Sequence, residues 1–394
     1  VSLPLSAKHR LRVGIVAGEP SGDVLGAGLL RALAARHPRM DIEGVGGEQM
    51  IAAGCQTLCP MERLSVMGLI EVLGRYPEIR GLRRRLVQRL LKHRPDVFIG
   101  IDAPDFNLPA EARLRKAGIA TVHYVSPQVW AWRRYRMRGI ARAVDCMLTL
   151  FPFEEPFYQR YQVPVRYVGH PLADQIPMTV DHKGARRRLG LPTDGEVVAL
   201  LPGSRMQEVR RLAPTMLLTA RWLLSRRRGL RFVVPVPNAP ARSYVGALLR
   251  SGGEDLPITL LDGGARRAMA AADVVLVASG TATLEALLLK RPMVITYRTA
   301  RLTYHLAKAM TSVSYVGLPN LLGGRSLVPE LLQDSATPDG LGAAVLEWLE
   351  QPDRRAALQA EFDRIHSNLR RDADSRAAEA VLQLLQNQGK LPAA

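Results

Sequence analysis

The sequence predicts an α/β protein made of two doubly wound halves, each a parallel sheet sandwiched by helices. Two observations support this. Short, continuous apolar runs recur along the chain with helical patterns between most of them, the order expected of buried parallel strands and their crossovers. Four of the turns that follow strands are rich in Gly, Ser, Thr and acids, and in open α/β sheets ligands sit beyond such strand ends. A length of 394 residues suits about two domains, and 47% hydrophobic residues is ample for their cores.

Taken in order, strands are predicted at 11–16, 97–101, 120–125, 145–150, 165–168, 196–201, 230–236, 258–261, 273–278 and 293–297. Helices are predicted at 24–36, 78–93, 108–117, 207–225 and 281–290. The boundary falls in 169–194, where Gly169-His170-Pro171 closes a strand and Pro177, Gly184 and Pro192 punctuate a polar stretch. This gives domains at 1–172 and 173–360, followed by helices at 361–394. The stretch 340–388 is helical without strands and could pack on either half.

Composition narrows the function. No stretch approaches the ~18 consecutive apolar residues of a membrane span, and the start, VSLPLSAKHRLRV, has no signal-peptide core. Cys55, Cys59 and Cys146 follow no C-x-x-C spacing, so a cytoplasmic, reduced protein without structural metal is expected. The formal charge of +18 suits nucleic acid, anionic lipid or a phosphorylated substrate, or simply an Arg-rich composition. With 5% aromatic residues and no stacking rings interleaved among the basic ones, single-strand nucleic-acid binding is weakly supported.

Ala17-Gly18-Glu19-Pro20-Ser21-Gly22-Asp23 joins a strand to a helix. Backbone N–H groups gather at such a point and attract phosphate, and Glu19 among them suggests proton transfer or sugar orientation. The strand 97–101 ends at Asp102, in a turn assigned to Pro104 and Pro109. That carboxylate suits a general base on a sugar hydroxyl; the plainer reading is that Asp102 or Asp105 caps a helix beginning near Leu108. Gly203-Ser204-Arg205 closes the first strand of the second half and offers close backbone approach, a hydroxyl and a planar cation for a diphosphate. Ser279, Gly280, Thr281 and Thr283 open another helix, with Glu285 one turn further in and able to accept from ribose hydroxyls. Asn320 adds a loop amide, with Gln333 following.

Several signals carry less. Neither Gly44-Val45-Gly46-Gly47 nor the glycines at 22, 26 and 28 match G-x-G-x-x-G, and Asp372-Ala373-Asp374 reads as a helix start. His123 reads as core or loop hydrogen bonding. Residues 64–73 are an apolar patch containing Val66, Met67, Leu69, Ile70 and Leu73. The helix after it has Ile79, Leu82, Leu86, Val87, Leu90 and Leu91 on one face and Arg80, Arg83, Arg84, Arg85, Arg89 and Lys92 elsewhere. An anionic membrane surface fits this segment, and so does an amphipathic helix packed on its own sheet.

Together AGEPSGD, SVMGLIEVLGR, DVFIGIDAPDFN, HYVSPQVWAW, VGHPLAD, LLPGSR, ASGTATLEAL and LPNLLGGR resemble the lipid-A-disaccharide synthase family, in order from about residue 12 to 335. The resemblance implies a GT-B fold, two Rossmann-like domains facing across a cleft. It implies an inverting transfer from UDP-2,3-diacylglucosamine to 2,3-diacylglucosamine 1-phosphate (lipid X), giving a β-1,6 disaccharide and UDP. No metal or other cofactor is implied. Asp102 and Glu19 would be catalytic, with either as dominant base. Gly203, Ser204, Arg205, Ser279, Gly280, Thr281, Thr283, Glu285, Asn320 and Gln333 would hold the UDP donor, and Gly18, Ser21, Gly22 and Ser126 would form the substrate loop. It further implies peripheral docking on the inner face of a Gram-negative inner membrane and C-terminal segments able to swap in a homodimer. Two rival readings are a UDP-sugar 2-epimerase of similar architecture and a basic nucleic-acid or membrane scaffold without catalysis.

Overall fold

The structure, a computed structural model, describes residues 10–64, 69–132, 134–252, 256–299, 311 and 314–392. The chain divides into two compact units, Val1–Asp174 with Leu369–Ala394, and Gln175–Asn368.

The first unit is built on seven parallel strands: β1 (Leu11–Ala17), β2 (Met40–Val45), β3 (Gln56–Thr57), β4 (Val97–Ile101), β5 (Ala120–Tyr124), β6 (Cys146–Thr149) and β7 (Val165–Tyr167). Their order is β3-β2-β1-β4-β5-β6-β7. Every residue of β4, β5 and β6 is buried, which is why these strands read as mostly apolar runs, with Thr121, His123 and Thr149 as buried polar exceptions. On one face the helix Leu69–His93 inserts Leu86, Val87 and Leu90 among Val16, Val45, Phe98 and Phe106, and Leu82 is also buried. Most of the apolar stripe of that helix is therefore domain core, but Leu91 is exposed, and the basic side stays outside, with Arg84, Arg85 and Arg89 exposed. Val66 and Met67 of the expected membrane patch lie outside the described residues, as do the side chains of Leu69, Ile70 and Leu73.

On the other face the helix Pro20–Arg36 packs against the C-terminal helix Ala373–Asn387, whose Ala377, Ala378, Val381 and Leu385 join the same core as Leu29, Leu30 and Leu33. The tail thus belongs to the first unit. Its helix starts at the expected Asp372, but that residue's side chain caps nothing. Instead the Asp174 carboxylate accepts from the N–H groups of Asp372 (2.9 Å) and Ala373 (2.7 Å). The amide of His170 donates to the carbonyl of Leu369 at 2.9 Å. The Gly-His-Pro segment, expected at the boundary, thus also clasps the returning tail.

The second unit carries six parallel strands: β8 (Val197–Leu201), β9 (Arg231–Val236), β10 (Ile258–Asp262), β11 (Val274–Ala278), β12 (Met293–Tyr297) and β13 (Glu330–Leu332). Their order is β10-β9-β8-β11-β12-β13. Arg186, almost wholly buried, ties the entering chain to this sheet through Asp273 (2.5 Å) and the carbonyls of Ala271, Thr193 and Gly195. No helix among the described residues is long and apolar enough to cross a membrane.

Replacing Asp174 by Ala removes the acceptor for two helix-terminal amides. It is expected to lower stability by about 1–2 kcal/mol, read as a lower urea midpoint. An unchanged midpoint would show that the clasp does not hold the tail.

Candidate functional site

In the first sheet the chain leaves β1 towards β2 and β3, but leaves β4 in the opposite direction towards β5, β6 and β7. The turns after β1 and β4 therefore meet at a topological switch point, where open α/β sheets bind ligands. The two strands end in register, Ala17 opposite Ile101. A methyl group on Gly18 would lie 2.9 Å from the Cβ of Ala103, so the two turns touch and a side chain at Gly18 would part them. Glu19 is the extended N-cap of the helix Pro20–Arg36, half-buried, with Pro20 at the first helical position. Ser21 is exposed on the first turn and Gly22 is buried against the sheet.

Asp102 and Ala103 both take the left-handed conformation, with φ of 49° and 42°. For non-glycine residues this costs of order 1–3 kcal/mol each. The Asp102 amide is held by the carbonyl of Tyr124 at 2.9 Å. Its carboxylate is half-buried. The following helix begins at Pro104, not near Leu108, and its N-cap Ala103 is followed by no capping side chain. Neither aspartate is a cap: Asp105 reaches out to Arg136 at 2.7 Å instead. Pro109 lies inside the helix and takes no part in the turn.

Asp23, the last residue of the first motif, turns inward. Its buried carboxylate accepts from the amides of Gly47 (2.9 Å), Gln49 (3.0 Å) and Met50 (2.9 Å), capping the short helix Glu48–Ala52. Ser126 is also buried, bonded to the Tyr158 hydroxyl at 2.8 Å and donating to the Pro127 carbonyl. Next to it is an acid that the sequence reading passed over. Glu154, 3% exposed, accepts from the amides of Leu150 and Phe151 and from the Trp130 indole at 3.2, 3.0 and 3.2 Å. It binds the turns after β5 and β6 together, beneath the half-buried rings of Trp130, Phe151 and Phe153. An acid four residues past the apolar run 145–150 was the available signal.

The second sheet repeats the geometry. Its switch point lies between β8 and β11, followed by the turns 202–205 and 279–280. Gly203 has φ of +124°, and a side chain there would strike Glu208 at 2.4 Å. The Glu208 carboxylate accepts from the amides of Ser204 (3.0 Å) and Arg205 (3.3 Å). The amides at this helix start are thus met by the protein's own carboxylate. Ser204 and Arg205 have exposed side chains. At the other turn the Ser279 amide donates to Thr296, Gly280 is the N-cap, Thr281 is exposed, and the buried Thr283 hydroxyl donates to the Gly280 carbonyl at 2.7 Å. Glu285 is half-buried, 3.5 Å from Arg266.

One donor-site expectation needs correction. Asn320 is in a short helix, Leu318–Gly323, and is wholly buried. Its amide donates to the Val328 carbonyl and Glu330, and accepts from Leu327 and Val328, so it organises the chain leading into β13 and has no hydrogen-bonding position left for a ligand. Gln333, with φ of 52°, accepts from the Thr299 amide through Oε1, and its carbonyl accepts from Arg298. Its Nε2 is buried without a partner among the described residues. Among those residues no group of three or more His, Cys, Asp or Glu could hold a metal ion.

Two Rossmann-like domains, each with ligand-type turns at its switch point, are the plan of a GT-B glycosyltransferase, and solved structures share it. The calicheamicin glycosyltransferase aligns over 96% of this chain and 99% of its own with a TM-score of 0.62 at 13% identity. The UDP-GlcNAc 2-epimerase from Neisseria meningitidis bound to UDP-GlcNAc aligns over 96% and 100% with a TM-score of 0.56, also at 13% identity. At such identities the likeness concerns the fold alone. The chain belongs to the lipid-A-disaccharide synthetase family, whose model matches residues 13–384. It is 57% identical to the lipid-A-disaccharide synthase of Pseudomonas paraeruginosa over 96% of this chain and 99% of that protein. It is 51% identical to that of Hahella chejuensis over 97% and 96%.

Burial pushes the Glu154 carboxyl up to about 7, against the pull of the Phe151 amide, Ser126, Trp130 and the Leu150 amide. A carboxyl raised on folding contributes stability that is complete below its unfolded value of 4.5 and lost as the pH rises through about 7. Wild type should therefore lose on the order of 3 kcal/mol relative to Glu154→Gln between pH 4 and 8. Denaturant midpoints of both proteins across that range test this, and parallel curves would refute it.

Proposed function

We propose that this chain transfers a 2,3-diacylglucosaminyl group from its UDP derivative to the 6-hydroxyl of 2,3-diacylglucosamine 1-phosphate, with inversion, yielding a β-1,6-linked disaccharide 1-phosphate and UDP. Membership of the synthase family supports the reaction class. The observation that carries the assignment of residues is the pair of switch points, each ringed by the polar turns singled out from the sequence. The similar 2-epimerase structures support only the fold and do not favour epimerisation.

In this reading Asp102 takes the proton of the acceptor hydroxyl as its oxygen attacks the anomeric carbon. The bond to that carbon forms as the bond from it to the diphosphate oxygen breaks. Charge collecting on the departing UDP is met by the Arg205 guanidinium and by the amides of Ser204 and Arg205, from which the Glu208 carboxylate withdraws. Ser279, Gly280, Thr281 and Thr283 bring a second helix N-terminus to the nucleotide, and Glu285 receives its ribose hydroxyls. Asn320 and Gln333 act by shaping the chain around β13. Glu19 orients the acceptor sugar beside Asp102, with Gly18, Ser21 and Gly22 forming its turn, and Ser126 supports the neighbouring turn. The protein works at an anionic membrane surface, drawn there by the exposed arginines of the helix Leu69–His93 and the apolar stretch before it.

The test is UDP release from the acylated UDP-glucosamine, with and without the acyl-glucosamine phosphate and in the presence of EDTA. Release is expected only when both substrates are present, with a disaccharide as the second product. Release without acceptor, or an epimerised UDP-sugar, would overturn the proposal. Asp102→Asn is expected to lower turnover by about 10²–10⁴-fold with binding of the UDP donor retained, and near-normal turnover would remove Asp102 as the base.

A further inference from the structure

The strained turn at Asp102 has a support that the reaction scheme does not use. Asn107 is fully buried in the helix after the turn. Its Nδ2 donates to the carbonyls of Asp102 (2.8 Å) and Ile101 (3.2 Å), with that of Val16 at 3.5 Å. One amide thus spans the ends of β1 and β4 at the switch point. The three carbonyls also fix which end of the amide carries hydrogen, since an oxygen facing them would be repelled. One helical turn further on, Glu111 pairs with His123 at 2.8 Å, both wholly buried. His123 stands opposite Gly100 in the register of β4 and β5. A methyl on Gly100 would lie 2.1 Å from the Glu111 carboxylate and 2.8 Å from Asn107 Cβ, so the polar layer fills the space directly beneath the strand that ends in Asp102.

Consecutive left-handed non-glycine residues persist only where their surroundings over-determine them. Here the Tyr124 carbonyl holds the Asp102 amide from one side and Asn107 holds its carbonyl from the other. We propose that Asn107 is a positioning residue, whose amide keeps the Asp102–Ala103 turn left-handed and so aims the Asp102 carboxylate at the acceptor hydroxyl. This rests on the reading of Asp102 as the base. Glu111 and His123 form the floor against which Asn107 is held.

The experiment is a double-mutant cycle on the full-length protein with both substrates. Asn107→Ala should lower kcat by about 10- to 100-fold while KM for each substrate stays within about twofold of wild type. Adding Ala103→Gly should restore part of the lost kcat, because glycine enters the left-handed region without steric penalty. In the Asp102→Asn background Asn107→Ala should cause no further loss, since there is then no base to aim. If Asn107→Ala does not accumulate as folded protein, Asn107→Leu, close in size and without a donor, takes its place in the same cycle. Wild-type kcat in the Asn107 variant, or an equal fold-loss in both backgrounds, overturns the positioning role and leaves the base assignment standing. Undiminished turnover in Asp102→Asn alone overturns the base assignment and this proposal with it.

Discussion

The functional geometry depends on one topological constraint. Where a parallel sheet reverses its winding, two adjacent strands end side by side and their chains leave in opposite directions, so no crossover covers their ends. This happens between β1 and β4 and again between β8 and β11. The first amides of the helices that follow have no partner within the helix. They must be met by side chains, solvent or a ligand. The composition of these turns follows from that need: Gly18 is small because the two turns touch, Gly203 because its backbone is left-handed and Glu208 lies against it.

The same need explains why several motif residues look inward. Asp23 and Asp174 each close the N-terminus of a helix other than their own, taking three amides and two amides respectively. A carboxylate is well suited to this because it accepts several bonds and its charge meets the positive end of the helix. Asn320 does comparable work at β13 with both ends of its amide. A polar residue in a ligand-type motif can therefore serve the ligand at one remove, by fixing the backbone that meets it.

Much of the fold was legible in the sequence because most strands are buried on both faces. β4, β8 and β11 are unbroken apolar runs, and β1, β5, β6, β9 and β12 are largely apolar, with single polar residues such as Arg12, His123 and Arg231 within them. β2 was missed because Asp41, Glu43 and Gly44 interrupt it, and β3 and β13, at two and three residues, are too short to show a pattern. Helix starts were placed late at Pro20 and Pro104, because the Pro, Ser, Gly and Asp of a first turn read as loop. The candidate site was legible only as a set of turns, since strand ends followed by Gly, Ser and acids are visible in one dimension. Side-chain direction was not. Whether Ser126 or Asn320 faces a ligand or the core depends on neighbours 32 and 10 residues away in the chain, Tyr158 and Glu330. Glu154 and Asn107 escaped notice for the same reason.

The two acids of the first switch point are not equivalent in how the backbone treats them. Glu19 sits on an extended N-cap that any residue adopts without strain, and its longer side chain has more rotamers to lose on being aimed. Asp102 occupies the first of two left-handed positions, fixed by a strand carbonyl on one side and a buried amide on the other. A residue under that strain returns no packing benefit to the fold, because its side chain is only half-buried. What the strain secures is the direction of a short, stiff carboxylate. Proton transfer to an attacking hydroxyl demands that direction more than sugar orientation does, since the acceptor oxygen must lie within hydrogen-bond reach of the proton it removes. In the proposed reaction the backbone thus separates two carboxylates that the sequence alone leaves interchangeable, giving Asp102 the geometry suited to a base and Glu19 that suited to holding the sugar.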